Sequence, residues 1–81
     1  MTKTIKLSNR DQELIDSLSI GTENEKVRNP FSGVEVELNP TEVALYDFIK
    51  GCEITQNYDK MQQGLGLFAK LNASAYMDLL D

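Results

Sequence analysis

The chain has no histidine and no tryptophan, and only one cysteine and two prolines among its 81 residues. Each shortage excludes something. Without histidine the commonest general acid–base group is missing, and every serine or cysteine triad that depends on imidazole is ruled out. A lone thiol, Cys52, can close no internal disulfide, and it cannot build a structural zinc site by itself. No apolar run approaches the roughly 20 residues of a membrane-spanning helix. The start, Met1-Thr2-Lys3-Thr4-Ile5-Lys6, lacks the apolar stretch of a secretory leader, so a reduced compartment, the cytoplasm, is the expectation. Basic residues are also scarce: 8 Lys and Arg against 13 Asp and Glu leave a net charge of −5. They are scattered from Lys3 to Lys70, whereas phosphate neutralisation needs them clustered. Nucleic acid is therefore a disfavoured direct ligand.

What remains is a composition suited to folding. Hydrophobic residues make up 41% and charged residues 26%, a balance that does not push the chain toward disorder. Its length suits one domain, residues 1–81, because half of it could not bury a core. So small a core leaves little net stability. With disulfide and metal excluded, efficient packing or homo-oligomerisation must supply the rest.

Periodicity divides the chain into helices and one hairpin. Residues 1–6 read as a ragged or extended lead-in. Ser8 offers a helix cap, and Leu14, Ile15 and Leu18 form a narrow apolar stripe, with Asp11, Gln12, Glu13 and Asp16 turned elsewhere. A short peripheral helix over 9–19, ending before Gly21, is expected. Beyond it, Val34, Val36 and Leu38 alternate with Glu35 and Glu37, the pattern of a half-buried strand. The segment Asn29-Pro30-Phe31-Ser32-Gly33 carries turn chemistry.

Charge sets the register. If Pro30-Phe31-Ser32-Gly33 is a four-residue loop, Arg28 faces Glu35, Val27 faces Val36 and Lys26 faces Glu37. Each such pair contributes up to about 1 kcal/mol, and a one-residue slip would put Val27 opposite a glutamate. A hairpin over 25–38 follows. An isolated hairpin is marginal in water, so its valine face must cover a helix or meet another chain.

Three further helices are expected. The first spans 41–53, started by Asn39-Pro40 or by Thr41. Val43, Ala44, Leu45, Tyr46, Phe48, Ile49 and Cys52 cover most of its circumference, which makes it the buried spine. Gly51 is either its cap or an interior position, and Cys52, continuing the stripe, favours the latter. The next spans 57–71, capped by Asn57, with Tyr58, Met61, Leu65 and Phe68 on one face. Its two glycines, Gly64 and Gly66, each cost about 1 kcal/mol against alanine. They mark either local irregularity or close approach of another backbone. A last helix, 73–80, ends on Leu79-Leu80 and implies a docked C-terminus. The fold class is α+β, mostly helical, with one hairpin packed on three to four helices.

Chemical motifs are sparse. Cys52 lies on an apolar stripe and reads as a packed core thiol. Glu35 and Glu37 share a strand face but sit opposite Arg28 and Lys26. The other acids lack calcium-loop spacing, and Gly64-Leu65-Gly66 lacks the remaining parts of a phosphate-binding loop. No catalytic residue, cofactor or metal is expected, and the chain reads as a non-enzyme. A carboxylate–metal enzyme would need three acids converging in one pocket. Phe31 stands apart: at the tip of a turn, it either folds back onto the hairpin or contacts another chain. With Gly64, Leu65 and Phe68 it forms the candidate interaction site.

Two resemblances bear on function. Leu38-Asn39-Pro40-Thr41-Glu42-Val43-Ala44-Leu45 looks like the start of the first helix in winged-helix output domains of bacterial response regulators. That resemblance implies a nucleic-acid-binding regulator, with two more helices and a wing hairpin to follow. The basic recognition helix it wants is not evident, since Tyr58–Leu71 carries only Lys60 and Lys70.

The broader resemblance is to small uncharacterised proteins of tailed bacteriophages, especially those infecting marine bacteria. It rests on Asn29-Pro30-Phe31-Ser32-Gly33, on Leu38-Asn39-Pro40 leading into Ala44-Leu45-Tyr46-Asp47-Phe48-Ile49-Lys50-Gly51, and on the ending Ala75-Tyr76-Met77-Asp78-Leu79-Leu80-Asp81. It covers about Asn29 to Asp81 and implies no activity and no catalytic residues. What it implies is a viral accessory protein in the host cytoplasm. The leading expectation is a non-enzymatic protein that binds itself or another protein, with a winged-helix-like regulator as the alternative.

Overall fold

The computed structural model describes residues 7–80. Met1–Lys6, the expected lead-in, and Asp81 lie outside the described residues. The architecture is mostly helical α+β, four helices and one antiparallel hairpin in the order α1 (Asn9–Ser17), β1 (Glu25–Arg28), β2 (Glu35–Leu38), α2 (Pro40–Thr55), α3 (Tyr58–Leu71) and α4 (Ala73–Leu79).

The hairpin adopts the charge-matched register: Lys26 faces Glu37, Val27 faces Val36 and Arg28 faces Glu35, with Glu25 opposite Leu38. Gly33 closes the loop at φ +79°, where a Cβ would be strained, and donates its N–H to Asn29 O at 2.8 Å. Burial along β2 is graded. Leu38 is fully buried and Val36 half-buried, while Val34 precedes the strand and is exposed. The valine face thus enters the core at the helix end of the hairpin and leaves it at the tip.

Asn39 starts α2 with a complete capping box. Its Oδ1 accepts from the Glu42 N–H at 2.9 Å, and its own N–H donates to Glu42 Oε1 at 3.0 Å. Pro40 takes the first helical turn, where its missing N–H costs nothing. The helix runs past Gly51 to Thr55 and ends on Gln56, which takes the left-handed conformation at φ 60°. Asn57 follows at once as the α3 cap, so the two helices are joined by two residues. Such a short joint folds α3 back along α2, and these helices share the most extensive packing in the molecule.

Leu45, Ile49 and Cys52 form the buried stripe of α2, and Leu67 and Phe68 meet it from α3. The remaining apolar residues of α2 are half-buried on its flanks, apart from the exposed Ile54, so this spine is covered on one side rather than on most sides. Gly64 packs tightly against α2: a Cβ built there would be 2.8 Å from Ile49 Cγ1. The nearest neighbours are the side chains of Ile49 and Phe48 rather than another backbone, and their close packing within the chain accounts for Gly64; α3 continues unbroken through both glycines.

The first helix is tied down more firmly than a narrow stripe implies. Leu14 is buried, and so is Asp11, which accepts from Lys70 Nζ at 2.8 Å across α3. Gln63 Nε2 adds a bond to Arg10 O at 3.0 Å. The expectation that Asp11 turns to solvent is corrected by this pairing: an acid in the first helical turn can lie inward when a long cation reaches it. After α4 no strand follows among the described residues, so the wing hairpin of a winged-helix domain is not formed there.

Candidate functional site

One concavity is lined mostly by apolar residues, with polar groups at its margins. Its floor is Ile49 of α2 and Leu79 of α4, both buried. Met61 and Leu65, one turn apart on α3, and Leu80 form half-buried sides. The hairpin loop closes one margin with Asn29 and Phe31, and Lys50 and Glu53 of α2 form the charged rim. The volume is about 300 Å³.

Phe31 is the outlier of this surface. It is 98% exposed, although its loop is closely specified. Asn29 Oδ1 accepts from the N–H of Phe31 at 2.8 Å and of Ser32 at 3.3 Å, and the Val34 N–H donates to Ser32 Oγ at 3.3 Å. Asn29 also donates through Nδ2 to Asp78 O at 2.8 Å, fastening the loop to the last turn of α4. A large apolar ring is thus held in water on a braced support. Of the two readings of Phe31, folding back onto the hairpin does not occur.

The four residues singled out from the sequence separate into two pairs. Phe31 and Leu65 come together on the groove. Phe68 is 0% exposed and Gly64 is buried against Phe48 and Ile49, so both belong to the core and have no surface to offer a partner. Their spacing on α3 could not reveal this, because core and groove occupy adjoining sectors of the same helix. Asn29, Met61, Leu80, Lys50 and Glu53 were missed. Asn29 alone carried a usable signal, since an Asn before Pro is a common side-chain-bonded turn start.

A second concavity, about 360 Å³, lies between α1 and α3. Arg10 and Lys70 share it with Asp11 and Asp59, and Lys70 is committed to Asp11. Opposite charges so mixed concentrate neither anions nor cations. Among the described residues no three of Cys, Asp and Glu converge as metal ligands, and no helix is long and apolar enough to cross a membrane. Cys52 is buried and unpaired. Comparison with protein-family models, with curated proteins and with solved structures gave no match.

Proposed function

We propose that this chain is a non-enzymatic interaction protein that binds a protein surface through the apolar groove and the Phe31 loop beside it. The observation that carries the reading is Phe31, 98% exposed on a loop whose backbone is fixed by the Asn29 hydrogen bonds. A pre-organised loop loses little backbone freedom when it is buried in a complex, which favours the aromatic it carries as a binding anchor. In the free chain the same ring contributes almost nothing to the core. Met61, Leu65 and Leu80 then act as the apolar bed, and Lys50 and Glu53 as a polar rim. The resemblance of residues 29–81 to small phage proteins supports an accessory role in the cytoplasm of an infected bacterium, and this setting is part of the proposal.

The test is photo-crosslinking in the cells that make the protein, with a photoreactive phenylalanine analogue in place of Phe31. The expected result is one or a few adducts of discrete mass, absent when the analogue replaces Thr22 on the opposite loop. Diffuse labelling alike from both positions would refute the reading.

A further inference from the structure

We infer that the groove is occupied by the Phe31 loop of a second copy of this chain, in a two-fold dimer where each Phe31 enters the other copy's groove. This rests on the interaction reading above and names the partner. Knob and hollow lie on the same face: Phe31 forms the margin of the groove that would receive its equivalent. A face carrying both halves of a contact closes on itself under a two-fold axis, with no open-ended growth.

Charge supports the same arrangement. Lys50 and Glu53 are 43% and 62% exposed and only loosely paired at 3.8 Å within the helix. A two-fold axis lets each Lys50 exchange its neighbour for the Glu53 of the other copy, so two opposite-charge contacts form at once. The rim is locally neutral on a chain of net charge −5, which offsets the repulsion between two acidic copies where they touch. The free edge of β1 offers no such match. Antiparallel self-pairing about Val27 would set Lys26 against Arg28 of the second copy, and pairing about Lys26 would set that lysine against its own equivalent.

Area bounds the strength. Two buried phenylalanine rings supply about 300–500 Å², against the roughly 1,200–2,000 Å² of a stable specific interface. Ile54, 82% exposed just beyond Glu53, and Tyr58, one turn before Met61 on the same flank of α3, extend the apolar patch. These bring the contact toward the low end of that range, so a weak, readily dissociating dimer is expected.

Sedimentation equilibrium of the full chain, over about 5 µM to 1 mM in low salt, tests this. The wild type should pass from monomer to dimer. Phe31→Ala should weaken association at least about tenfold with an unchanged circular dichroism spectrum. Lys50→Glu and Glu53→Lys should each weaken it alone, whereas an equimolar mixture of those two variants should associate at least as well as wild type. A monomer at 1 mM, a dimer indifferent to Phe31→Ala, or a mixture that fails to associate would overturn the inference. If the chain is monomeric but crosslinks through position 31 to a different protein, the second copy is refuted and the interaction reading stands. Monomer and no discrete adduct would remove both.

Discussion

Gly64 and Gly66 sit two residues apart on α3, and alanine at these positions should have opposite effects on stability. The helix-propensity gain is common to both, about 1 kcal/mol. At Gly66 the added methyl meets nothing within 4 Å. Gly66→Ala should therefore keep most of the gain and stabilise by about 0.5–1 kcal/mol, raising the melting temperature by about 2–8 °C in a domain this size. At Gly64 the same methyl would lie 2.8 Å from Ile49 Cγ1 and 3.3 and 3.4 Å from two ring atoms of Phe48. Ile49 is 2% exposed, and Cγ1 is a mid-chain carbon that cannot swing clear without displacing its neighbours. Overpacking of this kind costs about 1–3 kcal/mol, so Gly64→Ala should be destabilising by about 0–2 kcal/mol net. Thermal and urea unfolding followed by circular dichroism, at low protein concentration to keep self-association out of the measurement, would read both. Gly66→Ala serves as the propensity control in the same helix. If Gly64→Ala raised the melting temperature as much as Gly66→Ala, the close crossing of α2 and α3 would be wrong. As a further check, Ile49→Ala combined with Gly64→Ala should cost less than the sum of the two, by about 0.5–3 kcal/mol.

Other substitutions test other joints. Glu42→Ala removes one arm of the α2 capping box and the acceptor of Asn72 Nδ2 at 3.2 Å; a fall of about 2–3 kcal/mol in urea unfolding free energy is expected. A change below about 0.5 kcal/mol would mean the carboxylate is not engaged. Asn29→Ala should cost about 1–2 kcal/mol and broaden the amide resonances of Phe31 and Ser32, since their acceptor is lost; unaltered line widths would show that the loop is fixed by other means. Phe31→Ala should leave the melting temperature where it is, and a marked drop would show the ring to be part of the fold.

Legibility in the sequence followed the range of the interactions. The hairpin register was readable because the residues that face one another, Val27 and Val36 above all, lie within a dozen residues; Arg28 and Lys26 stand opposite Glu35 and Glu37 without closing an ion pair within 4 Å. Helix starts were readable for the same reason at Ser8 and Asn57, whereas at α2 both Asn39 and Thr41 fitted and the capping box selects Asn39. The end of α2 was not, because the glycine that might have signalled it, Gly51, is interior and Gln56 takes the left-handed turn instead. Pairings such as Lys70 with Asp11 or Asn72 with Glu42 join residues far apart in the chain. They depend on which helix faces meet, and a single sequence does not state this. The groove was half visible: Phe31 stood out as an apolar residue in a turn, whereas separating Leu65 from Phe68 required knowing the rotation of α3 about its axis.

Asn72 is at once the last cap of α3 and the first cap of α4, accepting from the Ala75 N–H while its amide nitrogen reaches the carboxylate that caps α2. Three helix ends therefore share one polar junction. Ordinarily a seven-residue helix such as α4 would fray on its own, because so short a segment is unstable alone. Here its cap residue is also bonded to Phe68 O at the end of α3 and to the Glu42 carboxylate at the start of α2, which couples the first turn to both. In hydrogen exchange, the amides of Glu42 and Ala75 should then open together and near the global unfolding free energy. The far end of α4 is held separately, by the buried Leu79 and by the Asn29 bond to Asp78 O that braces the loop carrying Phe31.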